Sequence, residues 1–236
     1  MKYFEFADKY FEKNIDKYDA IKIFEDKREL KLFDKLLYDQ NEINFLSWLS
    51  EMKFGLKLEN FFTAICYDKI INNQTPDWIV SANGQTIIFE VLRINLDEKV
   101  IINKIEEFKN PPPKDSTIIA NVTHSKVLDG KYFYGAIDKI AKKEISYRQL
   151  IESNNFPFVV CVDCFEIELF TFYNDFTDFF IGGGKNGYFQ KNIKFGENVS
   201  GLFVLVPFEG YKFLNNPNAT NKLFPDNQEG LLKLCD

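Results

Sequence analysis

The stretch TPDWIVSANGQTIIFEVLR, residues 75–93, decides the fold. Pro76 opens a run of apolar and β-branched residues, and a second such run follows Asn83-Gly84. That dipeptide favours a two-residue hairpin turn, because both central positions need positive φ and Asn and Gly tolerate it best. A turn centred there fixes the register. Paired positions must sum to 167, so 82 faces 85, 80 faces 87 and Asp77 faces Glu90. Directly opposed residues project from one face of a sheet with Cβ atoms roughly 4.5–5.5 Å apart. Two carboxylates so placed repel, so one is protonated or a cation lies between them. A divalent ion such as Mg²⁺ is the simplest occupant, since it is commonly held by one or two carboxylates plus water and phosphate oxygens. The plain alternative is a solvated strand end with two hydrated acids.

Upstream of the hairpin, residues 1 to about 63 read as helical. The segment from Glu42 to Phe62 is the clearest case, with Phe45, Leu46, Leu49, Met52 and Leu56 on one face and Gly55 as an interruption. Downstream, 98–109 suggests a short helix stopped by Pro111, Pro112 and Pro113, and STIIANV (116–122) suggests a short strand. A long helix is expected from about Tyr134 to Glu152, with Ile137, Ile140, Ala141, Ile145 and Leu150 as its buried stripe. PFVVCV (157–162) reads as a strand buried on both faces. FEIELFTFY (165–173) and SGLFVLVPF (200–208) supply further strands, with Gly182-Gly183-Gly184 as a surface loop between them. Asn215, Asn216 and Pro217 carry turn chemistry. The result is an α/β (α+β) domain around a mixed central sheet, residues 43–236, preceded by an N-terminal helical extension, residues 1–42.

Composition removes several function classes. The chain has 236 residues, 29 Lys+Arg against 35 Asp+Glu, and a formal net charge of −6. No global basic field draws in nucleic acid, so any such contact needs a local patch. Lys126–Arg148 is one, with six basic and three acidic residues. No apolar run is long enough for a membrane span, the N-terminus does not read as a signal peptide, and the cytoplasm is the expected compartment. Cys161 and Cys164 form a CxxC inside an apolar run, which reads as buried strand thiols. The single histidine, His124, excludes HExxH hydrolases and Cys2His2 fingers, and it reads as a loop histidine. Trp48 and Trp78 read as core residues. A one-histidine triad is left formally open but has no nucleophile motif beside it, so if the chain is an enzyme, carboxylates are the expected carriers of its chemistry.

Pro76-Asp77, followed after twelve intervening residues by Glu90 within IIFEVL, resembles the PD-(D/E)XK nuclease superfamily, the restriction-endonuclease-like fold. Ser50-Glu51 resembles the acid that many members carry on the preceding helix. KKEISYRQLIESNNFPFVVCVDC (142–164) and the tail SGLFVLVPFEGYKFLNNPNATNKL (200–223) are also similar, so the likeness covers roughly residues 43–222. The superfamily lysine belongs at the position of Leu92. Arg93 is adjacent, but strand alternation turns it to the other face. Lys139, Lys143 and Tyr147 recur at four-residue spacing on the later helix, and Lys143 is the candidate substitute.

The resemblance implies a metal-dependent endonuclease hydrolysing phosphodiester bonds in DNA, of restriction, defence or repair type. Asp77, Glu90 and the Val91 carbonyl would bind Mg²⁺ or Mn²⁺. Glu51 would hold water or a second ion, with Glu59 as the fallback, and Lys143 would orient water or neutralise charge. Cleaving both strands would call for a homodimer. The missing lysine keeps open a catalytically inactive nuclease-fold module that binds nucleic acid or a protein partner.

Overall fold

The computed structural model describes residues 42–94, 117–163, 197–206 and 210–235. The N-terminal extension, the 98–109 helix, the 165–173 strand, the Gly182–Gly184 loop and Cys164 lie outside them. Six strands form one mixed sheet in chain order: β1 (Ile65–Tyr67), β2 (Trp78–Ala82), β3 (Gln85–Arg93), β4 (Phe158–Asp163), β5 (Val199–Val206) and β6 (Gly210–Asn215). β1, β2 and β3 pair antiparallel, β3, β4 and β5 pair parallel, and β6 returns antiparallel to β5. Three described helices accompany them: α1 (Glu42–Glu59), α2 (Thr117–Asn154) and α3 (Pro225–Lys233). This is a mixed α+β architecture. No described helix is long and apolar enough to cross a membrane.

The turn sets the register as its chemistry requires. Asn83 and Gly84 have φ of 51° and 74°, and the ladder runs from Ala82↔Gln85 to Trp78↔Phe89. Odd-numbered Ile87, Phe89 and Val91 face a core built with α1 and α3. Even-numbered Ile88 and Leu92 face a second core built with α2. β4 is buried at every position, as a strand covered on both faces must be. Cys161 is buried there as a free thiol.

Gly55 permits a close approach of α1 to the sheet. A Cβ at that position would lie 2.1 Å from the Trp78 indole, which is itself fully buried. Trp48 is partly buried against the same core. On β5 the register slips by one residue opposite Phe158, and the Ser200 hydroxyl accepts the Phe158 N–H at 3.0 Å. A chain that must insert an extra residue thereby keeps its donor satisfied. β6 ends at Asn215, and Pro217–Asn218 forms the expected turn, where Asn216 Oδ1 accepts the Asn218 N–H at 2.9 Å.

Four readings from the sequence need correction. Residues 117–122 are helical rather than extended, because they form the first turns of α2, which begins well before Tyr134. The β-branched pair Ile118-Ile119 biases that segment toward strand, but propensity is weak against a continuous helix. His124 therefore belongs to a helix, not a loop. The buried stripe of α2 runs through Ala136, Ile140, Glu144, Tyr147 and Ile151, leaving Ile145 at 61% exposed. Helicity from the first helix ends at Glu59, and the short strand β1 follows.

Candidate active site at the open end of the hairpin

The β2–β3 ladder stops at Trp78↔Phe89, and the reason is Pro76. In the continued register Val91 faces Pro76, which has no N–H to give. Backbone direction alternates along β3, so the N–H and C=O of Val91 both turn toward that gap. The Asp77 side chain fills half of it: Val91 N–H donates to Asp77 Oδ2 at 2.7 Å. The Val91 carbonyl is left without a ladder donor from Pro76.

Glu90 projects toward α2, and Asp77, one residue beyond the last ladder pair, lies within reach of its charge. Glu90 is fully buried and Asp77 partly so, which removes the solvated strand end as an explanation. Burial and the neighbouring charges of Glu90 and Glu51 hold the Asp77 carboxyl well above the usual carboxylate range. The Val91 N–H and Lys143 oppose that shift without cancelling it.

α2 presents three groups toward β3 at one-turn intervals, two of them beside Glu90. Lys143 Nζ lies 2.5 Å from Glu90 Oε2, 5.8 Å above the Tyr147 ring. Burial alone would lower the Lys143 pKa, but Glu90, Asp77 and Glu51 reverse the effect and raise it. The Tyr147 hydroxyl donates to the Thr75 carbonyl at 2.8 Å and sits beside Glu90, and burial together with that charge keeps it protonated. Its one proton serves Thr75, leaving Lys143 as the counter-charge of Glu90. Neither Glu90 oxygen makes a well-directed hydrogen bond among the described residues. Lys139 Nζ, one turn earlier, donates to the Arg93 carbonyl at 3.1 Å.

Glu51 arrives from α1. Its Oε2 accepts the Tyr67 hydroxyl at 2.8 Å, and its carbonyl accepts Trp78 Nε1 at 2.9 Å. Its charge is felt at both Asp77 and Lys143. Glu59 lies eight residues farther along α1, about 12 Å by helix rise, and is not among the main charges acting on Asp77. Leu92 is buried in the α2-side core, and Arg93 lies on the other face of the sheet.

The structure thus brings together Asp77, Glu90, Val91, Glu51 and Lys143. Among the described residues, no three Asp, Glu, His or Cys side chains are gathered tightly enough to enclose a metal ion. A two-carboxylate site needs fewer. The donors at hand are Asp77, the hydrogen-bond-poor Glu90 and the Val91 carbonyl, all oxygen, which suits Mg²⁺ or Mn²⁺ better than softer ions.

Two elements were not read from the sequence. Tyr67 sits on β1, which is too short to show an alternating pattern. Arg93, Asp163 and Ser50 form a buried polar cluster joining β3, β4 and α1: Arg93 lies 3.5 Å from Asp163 and 3.2 Å from Ser50 Oγ, and Ser50 also donates to Asp163. A charged residue inside the apolar run of β4 was the available signal for Asp163. No protein-family model matches this chain, and no curated protein or solved structure is significantly similar to it.

Proposed function

We propose that the chain is a Mg²⁺- or Mn²⁺-dependent endonuclease of restriction-endonuclease-like type, hydrolysing phosphodiester bonds in DNA for restriction, defence or repair. One observation carries the reading: two carboxylates feel each other's charge at a broken strand end, with a helix lysine in ionic contact with the buried one. Asp77, Glu90 and the Val91 carbonyl would hold the ion, with Glu51 beside them. When bound, the ion would supply positive charge to the phosphate oxygens and lower the pKa of the attacking water.

The chain's own residues have narrower tasks. Lys143 has a raised pKa, so it acts as a positive charge and not as a base at neutral pH. Displaced from Glu90, it would face the negative charge of the substrate. Asp77 holds its proton unusually well, so metal uptake must release that proton and strengthen as pH rises. Tyr67 and Tyr147 keep their protons, and they orient Glu51 and the Thr75 backbone.

The second reading is an inactive module of the same fold. It draws support from the partners the protein already supplies, with Lys143 on Glu90, Tyr67 on Glu51 and the Val91 N–H on Asp77. Calorimetric titration with Mn²⁺, alongside cleavage of plasmid and single-stranded DNA, separates the two. Endonuclease function requires heat of binding and cleavage that both disappear in Asp77→Asn and Glu90→Gln variants that remain folded. No uptake at millimolar metal and no cleavage would leave the binding module.

A further inference from the structure

Lys139 stands out among the cations of α2. It lies one turn before Lys143 on the same face of α2, about 6 Å along the axis, a step of one to two nucleotides on a strand rising 3.4 Å per residue. Its ammonium is fixed by the Arg93 carbonyl, three residues beyond Glu90 toward the open end of β3. No carboxylate among the described residues takes its charge. Burial lowers the Lys139 pKa, with no acid reversing the effect as Glu90 does for Lys143. Lysines on a helix face are usually solvated and free to move. Lys142, exposed on the adjoining face, fits that description, with no partner among the described residues. Lys139 is exposed as well, but its head group is held by the Arg93 carbonyl and its charge has no carboxylate partner among the described residues.

We infer that Lys139 is a substrate-positioning residue that binds a backbone phosphate flanking the scissile one, so the site takes a polynucleotide and not an isolated phosphodiester. The inference rests on the nuclease reading. In an acidic chain, affinity for DNA must come from local cations, and those beside the acids set the strand's position. One neutralised phosphate contributes about 0.9 to the slope of log K against log salt on duplex DNA, which is about eightfold in affinity at 0.1 M salt.

The test uses the full chain and a fluorescent 20-mer duplex, with anisotropy read across a salt series in Ca²⁺. Lys139→Met should weaken binding about eightfold at 0.1 M salt and flatten the slope by about one, while Lys139→Arg retains both. In Mg²⁺ the loss should fall on KM far more than on kcat. Unchanged affinity and slope in Lys139→Met would overturn the inference. A fall in melting temperature with an unchanged slope would also overturn it, assigning Lys139 to anchoring α2 on β3. Salt-dependent binding that needs Lys139, without cleavage in Mg²⁺ or Mn²⁺, would keep the phosphate contact and remove the hydrolase. Cleavage indifferent to Lys139 would do the reverse.

Discussion

Gly55→Ala sets two physical effects against each other with opposite signs. In an exposed helix the change gains about 1 kcal/mol, because glycine is the poorer helix former. Here the new Cβ would lie 2.1, 2.4 and 2.7 Å from three atoms of the Trp78 indole. The ring must retreat by more than about 1 Å to reach ordinary contact, and it is fully buried in a core packed as densely as protein interiors are. Overpacking of this kind costs about 1–3 kcal/mol. Movement of the ring also breaks the Trp78 Nε1 bond to the Glu51 carbonyl, about 1 kcal/mol more. The net expectation is a loss of about 1–3 kcal/mol, measured by urea unfolding with an unchanged m-value. For a chain of this size that is about 2–4 °C per kcal/mol in melting temperature. Asp77 directly precedes Trp78, so Mn²⁺ uptake should weaken in the same variant. Equal or greater stability in Gly55→Ala would refute the close-packing argument, and with it the account of how α1 is seated.

Lys143→Met leaves the buried Glu90 without its counter-charge. A fully buried pair would cost about 3–5 kcal/mol to break, but the Lys143 side chain is 38% exposed, so about 1–3 kcal/mol is expected. Glu90→Gln in the same chain should recover most of that loss in denaturant unfolding, and failure to recover would contradict the pairing. Asp77 has a raised pKa in the folded state, so the native state binds more protons than the unfolded state above about pH 4, and stability falls as pH rises through the window below the folded pKa. Asp77→Asn should flatten that fall above about pH 4, and an unaltered pH profile would exclude Asp77 as its source. The raised Lys143 pKa acts at the other end: its contribution is complete below about pH 10.4 and is lost as pH climbs through the folded value.

The parts of the fold that can be read from the chain are those whose causes are local. Asn83-Gly84 fixes a turn, the turn fixes the register, and the register alone places Asp77 opposite Glu90. β4 declares itself by an unbroken apolar run. The four-residue spacing of Lys139, Lys143 and Tyr147 puts them on one face, but which face meets the sheet depends on packing. Apolar Ile145 reads as inward, yet Glu144 and Tyr147 occupy the inward positions and Ile145 faces solvent. β1 and α3 carry too few residues, or too many polar ones, to announce themselves. The Ser50–Arg93–Asp163 cluster joins three elements far apart in the chain, so no window of sequence contains it. Glu51 and Glu59 are equivalent by periodicity, and only the position of Tyr67 and Trp78 separates them.

The spacing of these groups along the chain bears on how the molecule assembles. Asp77 and Glu90 come together through a hairpin, which closes in microseconds, whereas β3 meets β4 only by joining residues 70 positions apart, from Ile88 to Phe158. The negative half of the cluster therefore forms early in folding and waits for α2 to bring its lysine. Until that helix docks, the paired acids oppose their own closure. Protonation of either acid would ease that interval, so refolding should be faster in mildly acidic buffer than at neutral pH.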